Sequence, residues 1–294
     1  MKQFILKKLD NLGYRLVKQG QKDDTDLYLS TYGSDSVYNK RFYNVSAGGH
    51  FGFGNIINHP LWRNLDIKRP VAKHLQQFDP QKDFEYDMLK NEKLPIESDS
   101  AEIILSQYSI EHVSDASAEI FFREAHRSLK ENGILKLITP NSDLDYLALM
   151  NNNRDFYWWA HYYNKNMGFT DNMVTASLEQ LFISHFAANA SIWHGGGNPN
   201  QITDHELREM AAKLSKDELF EFCTTRCSLE IQKQHRNNHI NWWTHQKIKA
   251  KLHTAGFNEV YFTIPHQSSA AVLKNNRYFD NWNDVAFFVE AIKR

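Results

Sequence analysis

Four glycines, Gly48, Gly49, Gly52 and Gly54, fall within seven residues directly after Asn44-Val45-Ser46-Ala47. A turn so poor in side chains lets a ligand lie against the backbone and leaves amide N–H groups facing it. Asp66 stands 18 residues beyond Gly48, and Asp87 follows at the end of another apolar run. A carboxylate at a strand end accepts from both hydroxyls of a ribose at once, so the order glycine turn, Asp66, Asp87 suits a nucleoside spanning a sheet edge. Glu111-His112 brings a second chemistry. Neutral imidazole is a general base near neutral pH, and an adjacent carboxylate can orient it.

The elements that must position these residues alternate between short apolar runs and helical stripes. Strands are expected at 41–46 (RFYNVS), 64–67 (NLDI), 84–88 (FEYDM), 101–107 (AEIILSQ) and 133–140 (GILKLITP). The unbroken Ile103-Ile104-Leu105 run reads as a strand covered on both faces. Between the last two strands, Ser114 or Asp115 caps a helix over 116–130 with Phe121, Ala125, Ser128 and Leu129 on one face. Asn132-Gly133 closes it with a residue that accepts positive φ. Strand, helix, strand is the βαβ unit of a parallel sheet. A helix over 247–256 closed by Gly256 and strands at 259–265 and 284–293 complete the pattern.

Between them lies a stretch dense in aromatics, including Tyr157-Trp158-Trp159, Tyr162, Tyr163, Phe182 and Phe186, and holding six of the fourteen histidines. Thr203 and Glu206 have capping-box spacing there, which makes part of it ordinary helix. The predicted organisation is a helical extension over 1–40, a core over 41–140, a helical insertion over 141–240 and the rest of the core sheet over 241–294. An insertion that begins at Pro140-Asn141 starts on the rim where open α/β sheets bind ligands. His161, Tyr162 and Tyr163 are its candidate substrate residues.

The 294 residues are 41% apolar and 13% aromatic, enough for a core without staples. Their formal charge of −1 gives no field to collect nucleic acid, so a dedicated nucleic-acid binder is excluded. Cys223 and Cys227 lack a second Cys/His pair at zinc-finger spacing and read as ordinary thiols. No apolar run approaches the roughly 20 residues of a membrane span, and no signal-peptide core is present. A cytoplasmic location is the expectation. Ile5, Leu9, Leu12 and Leu16 form a stripe near Lys2, Lys7 and Lys8, read as a helix docked on its own domain rather than on a membrane. His194-Gly195-Gly196-Gly197 lacks the Lys-Ser/Thr of a phosphate cradle and reads as a loop.

LPIESDSAEIILSQYSIEHV at 94–113 and FFREAHRSLKENGILKLITPN at 121–141 resemble the class I S-adenosylmethionine-dependent methyltransferases, in particular the methyltransferase type 11-like group. The resemblance covers 40–141 well and 241–293 more loosely. It implies a Rossmann-like, open, doubly wound and mostly parallel seven-stranded sheet, last strand antiparallel, with S-adenosylmethionine as cofactor. Carried onto this chain, it places Ser46, Ala47, Gly48 and Gly49 at the methionine and ribose portion and Asp66 on the ribose hydroxyls. Asp87, Met88 and Leu89 frame the adenine, and Ser106 and Gln107 floor the methionine end. Three departures stand out: Ser46 for a first glycine, Asn44 for an acidic residue, and Glu131-Asn132-Gly133 for Pro-Gly-Gly.

The KKLDNLGYRLVK segment is similar to small-molecule methyltransferases of bacterial surface-glycan assembly, which implies a small-molecule or sugar hydroxyl as acceptor. Glu111 and His112 are the catalytic candidates. Some relatives hold a divalent metal through an acidic–histidine grouping, but Tyr108 occupies the place of a further carboxylate, so no metal is expected. Two rivals share the sheet. A nicotinamide-dependent oxidoreductase needs the G-x-G-x-x-G that the first turn lacks, and a non-catalytic binding subunit is hinted at only by Ser46 and Asn44.

Overall fold

Seven strands lie side by side with the first near the middle. The computed structural model describes residues 24–45, 57, 59–67, 83–160, 175–193, 198–275, 279 and 285–294. Expectations for the helix at 1–18, for Ser46 to Gly49, for His161 to Tyr163 and for His194 to Gly197 fall outside these residues.

The strands are β1 (Phe42–Val45), β2 (Trp62–Asp66), β3 (Phe84–Glu85), β4 (Ala101–Gln107), β5 (Leu129–Pro140), β6 (Glu259–Thr263) and β7 (Ala286–Ile292). Their order is β3-β2-β1-β4-β5-β7-β6. All run parallel except β7, which is antiparallel to both β5 and β6. The chain thus builds outward from β1 in one direction and returns to build in the other, which makes the β1/β4 junction a topological switch point.

Register puts the carboxyl ends of the first strands level. Val45 sits opposite Leu65 on one side and opposite Ser106 on the other. Val45, Asp66 and Ser106 therefore share one rim.

Helix α1 (Thr25–Tyr38), broken at Gly33 where φ is 77°, packs Tyr28 against Phe42 and Trp62 on one face of the sheet. Helices α2 (Asp115–Ser128) and α8 (His245–Thr254) cover the other, with Phe121, Phe122, Leu252 and Phe257 buried. In chain order, between β5 and α8, come α3 (Ser142–Met150), α4 (Leu178–Phe186), α5 (Asp204–Ala211), α6 (Lys216–Thr224) and α7 (Leu229–Gln234). The first four of these share a core of their own, in which the Phe220 ring stacks on Phe182 at 5.8 Å and on Trp242 at 5.1 Å. Thr203 caps α5 by accepting from the Glu206 N–H, as its spacing predicts.

Three expected boundaries are corrected. Helix α2 begins at its Ser114 cap but stops at Ser128, and β5 starts at Leu129 rather than at 133. The β4–β5 register shifts between Ala101 and Ile103, where Leu129 and Ile134 are the partners, so the first turn of β5 is bulged. The positive φ in that bulge, 67°, belongs to Asn132 and not to Gly133. Gly133 is needed for another reason: a Cβ there would meet the Lys130 carbonyl oxygen at 2.9 Å and that of Ala101 at 3.0 Å. Gly256 does take a left-handed φ, 107°, at the end of α8. The third strand is also shorter than the expected 84–88. No helix among the described residues is long and apolar enough to cross a membrane.

Candidate active site at the carboxyl rim of the sheet

The expected cofactor residues that the structure describes do gather on the rim. Asp66 ends β2, and its Oδ1 accepts from the Ile67 N–H at 2.7 Å. Ser106 is buried beside the end of β1, and its Oγ has no hydrogen-bond partner among the described residues. A buried hydroxyl left without a protein partner costs free energy unless a ligand or water meets it. Its position beside Val45, the last residue of β1, fits a polar ligand such as a nucleoside. Gln107 is buried next to it.

Asp87 lies beyond β3 and caps the short 3₁₀ turn Met88–Lys90, its Oδ1 accepting from Leu89 N–H at 3.0 Å. Its Oδ2 accepts from Arg236 Nη1 at 2.8 Å, an ion pair no sequence pattern announced. Met88 is buried and Leu89 packs against the same core. Asn44, in the place of the family's acid, is fully buried and donates to Asn64 Oδ1 at 2.9 Å, which ties β1 to β2.

After β4 the chain turns sharply. Tyr108 takes a left-handed φ of 48°, and its N–H donates to Ile138 O at 2.8 Å. That turn lifts the 3₁₀ segment Ile110–His112 over the rim. Glu111 is 1% exposed; Thr139 Oγ1 donates to its Oε2 at 3.1 Å, while Oε1 has no partner among the described residues. Burial pushes its carboxyl up to about 8. The expected orientation of His112 by Glu111 is not observed, because the carboxylate points to Thr139. His112 is held instead through Nδ1, 3.1 Å from Asn238 O.

The segment that carries Asn238 also brings His239, which the sequence did not single out. Its ring lies 4.6 Å from that of His112, and its Nδ1 is 2.6 Å from His185 O. Burial, with His112 and His185 close by, drives the His239 imidazole well below its ordinary value and keeps it neutral. Asp145 on α3 is fully buried and accepts from His185 Nδ1 at 2.7 Å and from Tyr157 OH at 3.1 Å. The rim thus carries a polar group of Glu111, His112, His239, His185 and Asp145 beside the candidate cofactor residues. Cys223 and Cys227 are free thiols; burial raises both, Cys227 to about 12, and neither is a nucleophile at neutral pH.

Residues 59–137 match a family model described as a methyltransferase domain. Among curated proteins none matches the chain. Among solved structures, an S-adenosylmethionine-dependent methyltransferase from Mesorhizobium loti is similar at 12% identity and TM-score 0.38, covering 89% of this chain and 99% of that one. One from Thermotoga maritima is similar at 11% identity and TM-score 0.37, covering 99% of each. The methyltransferase domain of a citrinin polyketide synthase is similar at 12% identity and TM-score 0.37; this chain covers 85% of itself and 45% of that chain. The family match runs from just before β2 through β4 and α2 into β5, so the likeness to a methyltransferase domain falls on the stretch that carries Asp66, Asp87 and Ser106.

Proposed function

We propose that this protein transfers a methyl group from S-adenosylmethionine to a hydroxyl of a small molecule or sugar, in the cytoplasm and in a step of surface-glycan assembly. The observation that carries the reading is the shared rim: Val45, Asp66 and Ser106 end level, with an unpartnered buried hydroxyl on Ser106 and the Glu111–His112 turn directly beyond. When bound, the cofactor supplies an electrophilic methyl group on a sulfonium.

Asp66 accepts from the ribose hydroxyls, and Asp87, with Met88 and Leu89, frames the adenine. Ser106 and Gln107 meet the methionine end, and Ser46, Ala47, Gly48 and Gly49 follow directly from the end of β1. His112 and Glu111 stand on the acceptor side and handle the hydroxyl proton. His161, Tyr162 and Tyr163 form part of the acceptor wall. Displacement at a methyl carbon is in line, so holding the two reactants supplies much of the rate.

Titration calorimetry with S-adenosylhomocysteine tests the reading. The wild type binds it and is not stabilised by NAD(H); Asp66→Ala binds about 30- to 150-fold more weakly, the equivalent of about 2–3 kcal/mol for a lost hydrogen bond to a charged group. Unchanged affinity in a folded Asp66→Ala variant removes the nucleoside from this rim. Radiolabelled methyl transfer to a panel of sugars and hydroxylated small molecules then tests the acceptor class. Single alanine substitutions at His161, Tyr162 and Tyr163 are expected to lower turnover at one or more positions while cofactor affinity stays within about threefold.

A further inference from the structure

One ligand-capable atom from each of Glu111, His112 and His239 lies within 4.8 Å of the other two. The surrounding bonds settle which atoms these residues can offer. A carbonyl oxygen only accepts, so the contacts to Asn238 O and His185 O place a proton on Nδ1 of both His112 and His239. The lone pair of each neutral ring is then on Nε2. Thr139 occupies Oε2 of Glu111, and Oε1 of this 1% exposed side chain has no partner among the described residues. Each of the three side chains is therefore fixed by its outer atom. Carbonyls on the outer nitrogens of histidines and a hydroxyl on the outer oxygen of a carboxylate are the supports that orient metal ligands.

We propose that Glu111, His112 and His239 bind one divalent first-row transition-metal ion, through Glu111 Oε1 and the Nε2 atoms of the two histidines. Ligands about 2.0–2.2 Å from one ion lie roughly 3.0–3.5 Å apart, so side-chain shifts of about 1 Å close the site. Two imidazoles and a carboxylate select ions such as zinc, cobalt, iron or manganese over magnesium and calcium, which demand oxygen. Three protein ligands leave a position for an exogenous oxygen. The further carboxylate expected at Tyr108 is not needed, because the third ligand arrives from a residue far along the chain. The site stands without the methyl-transfer reading; with an ion bound, Glu111 and His112 hold it toward the acceptor oxygen in place of taking the hydroxyl proton themselves, and only that use rests on the reading.

The experiment uses full-length, untagged protein stripped with a chelator and dialysed. Calorimetry with Zn²⁺ is expected to show one equivalent bound, and Co²⁺ to give visible absorption that Zn²⁺ abolishes. His239→Ala is expected to weaken Zn²⁺ at least 100-fold and Glu111→Gln at least tenfold, while His235→Ala, an exposed neighbour outside the cluster, stays within twofold. Should His239→Ala fail to fold, Glu111→Gln decides, since its amide oxygen still accepts from Thr139. No stoichiometric binding to the wild type, or wild-type affinity in the folded variants, overturns the site. S-adenosylhomocysteine titrated into the same samples separates this result from failure of the methyl-transfer reading.

Discussion

Lys136 and Glu290 show how much one buried pair sets. They face each other across β5 and β7 with Nζ 2.8 Å from Oε1, at 7% and 1% side-chain exposure. The Lys136 ammonium also donates to Gln267 O at 2.9 Å, and Ser269 donates to Glu290 Oε2 through its N–H and its hydroxyl. Burial lowers the Lys136 ammonium against the pull of Glu290. Burial alone would raise the Glu290 carboxyl, but Lys136, Ser268 and Ser269 hold it below its ordinary value. Lys136→Met strands the carboxylate and is expected to cost about 3–5 kcal/mol in urea unfolding at pH 7, with Lys136→Met/Glu290→Leu recovering at least half. A loss under about 1 kcal/mol would show the carboxylate to be satisfied without the lysine. At this scale the positions of the candidate rim were legible in the sequence, because Asp66, Asp87 and Ser106 each sit at or near a strand end. His239, His185 and Asp145 were not. Their only signal was the density of histidines in the insertion, and a pairing across more than 100 residues leaves no local spacing to read.

Among the elements, β4 was read to the residue because Ile103-Ile104-Leu105 is covered on both faces and bounded by polar turns. The start of β5 was misread because Asn132-Gly133 looks like a helix stop, whereas it lies inside a bulge that begins a strand. The two residues there have separate requirements, and substitution separates them. Gly133→Ala drives a Cβ against two backbone oxygens and is expected to cost about 1–3 kcal/mol. Asn132→Gly puts glycine at the left-handed φ and gives up an exposed hydrogen bond from Arg294, and is expected to stay within about 0.5 kcal/mol. The opposite order in chemical unfolding would place the constraint on the dihedral angle and not on the close approach. Helix α2 carries a smaller prediction: Ser114 accepts from the Ser117 N–H, and Ser114→Ala is expected to cost about 1 kcal/mol.

Across the whole molecule, residues 232–241 tie the helical insertion to the candidate cofactor rim. Ile240 and Asn241 donate their N–H groups to Glu111 O, Asn241 donates to Val113 O and Asp115, and Arg236 pairs with Asp87. Fully buried Gln232 holds the segment in shape, its amide donating to His112 O at 2.9 Å, Asn238 O at 2.8 Å and Arg236 O at 3.3 Å. Nothing in the sequence marks Gln232, since its role depends on three carbonyls that meet only in the folded chain. The acid limit of the molecule is set at the same scale: Asp24, Asp115, Glu124 and Glu290 all have carboxyls held below their ordinary values. A depressed carboxyl contributes stability that is present above its unfolded value and lost as pH falls through the folded one. The melting temperature is therefore expected to drop as pH goes below about 4.5, and a flat profile there would show these pairs to be inert. Gln232→Leu tests the tie itself. Removing one donor from three buried carbonyls is expected to cost about 1–3 kcal/mol, less than the about 3–5 kcal/mol of Phe186→Ala in the insertion's own core. Affinity for S-adenosylhomocysteine should fall in the reverse order. Gln232→Leu removes the support of the segment that carries Arg236 to Asp87 and is expected to weaken binding at least fivefold, whereas Phe186→Ala, in the insertion's own core, is expected to leave it within twofold. Calorimetry on both folded variants checks this, and equal affinities would mean that the insertion and the cofactor rim act independently although segment 232–241 joins them.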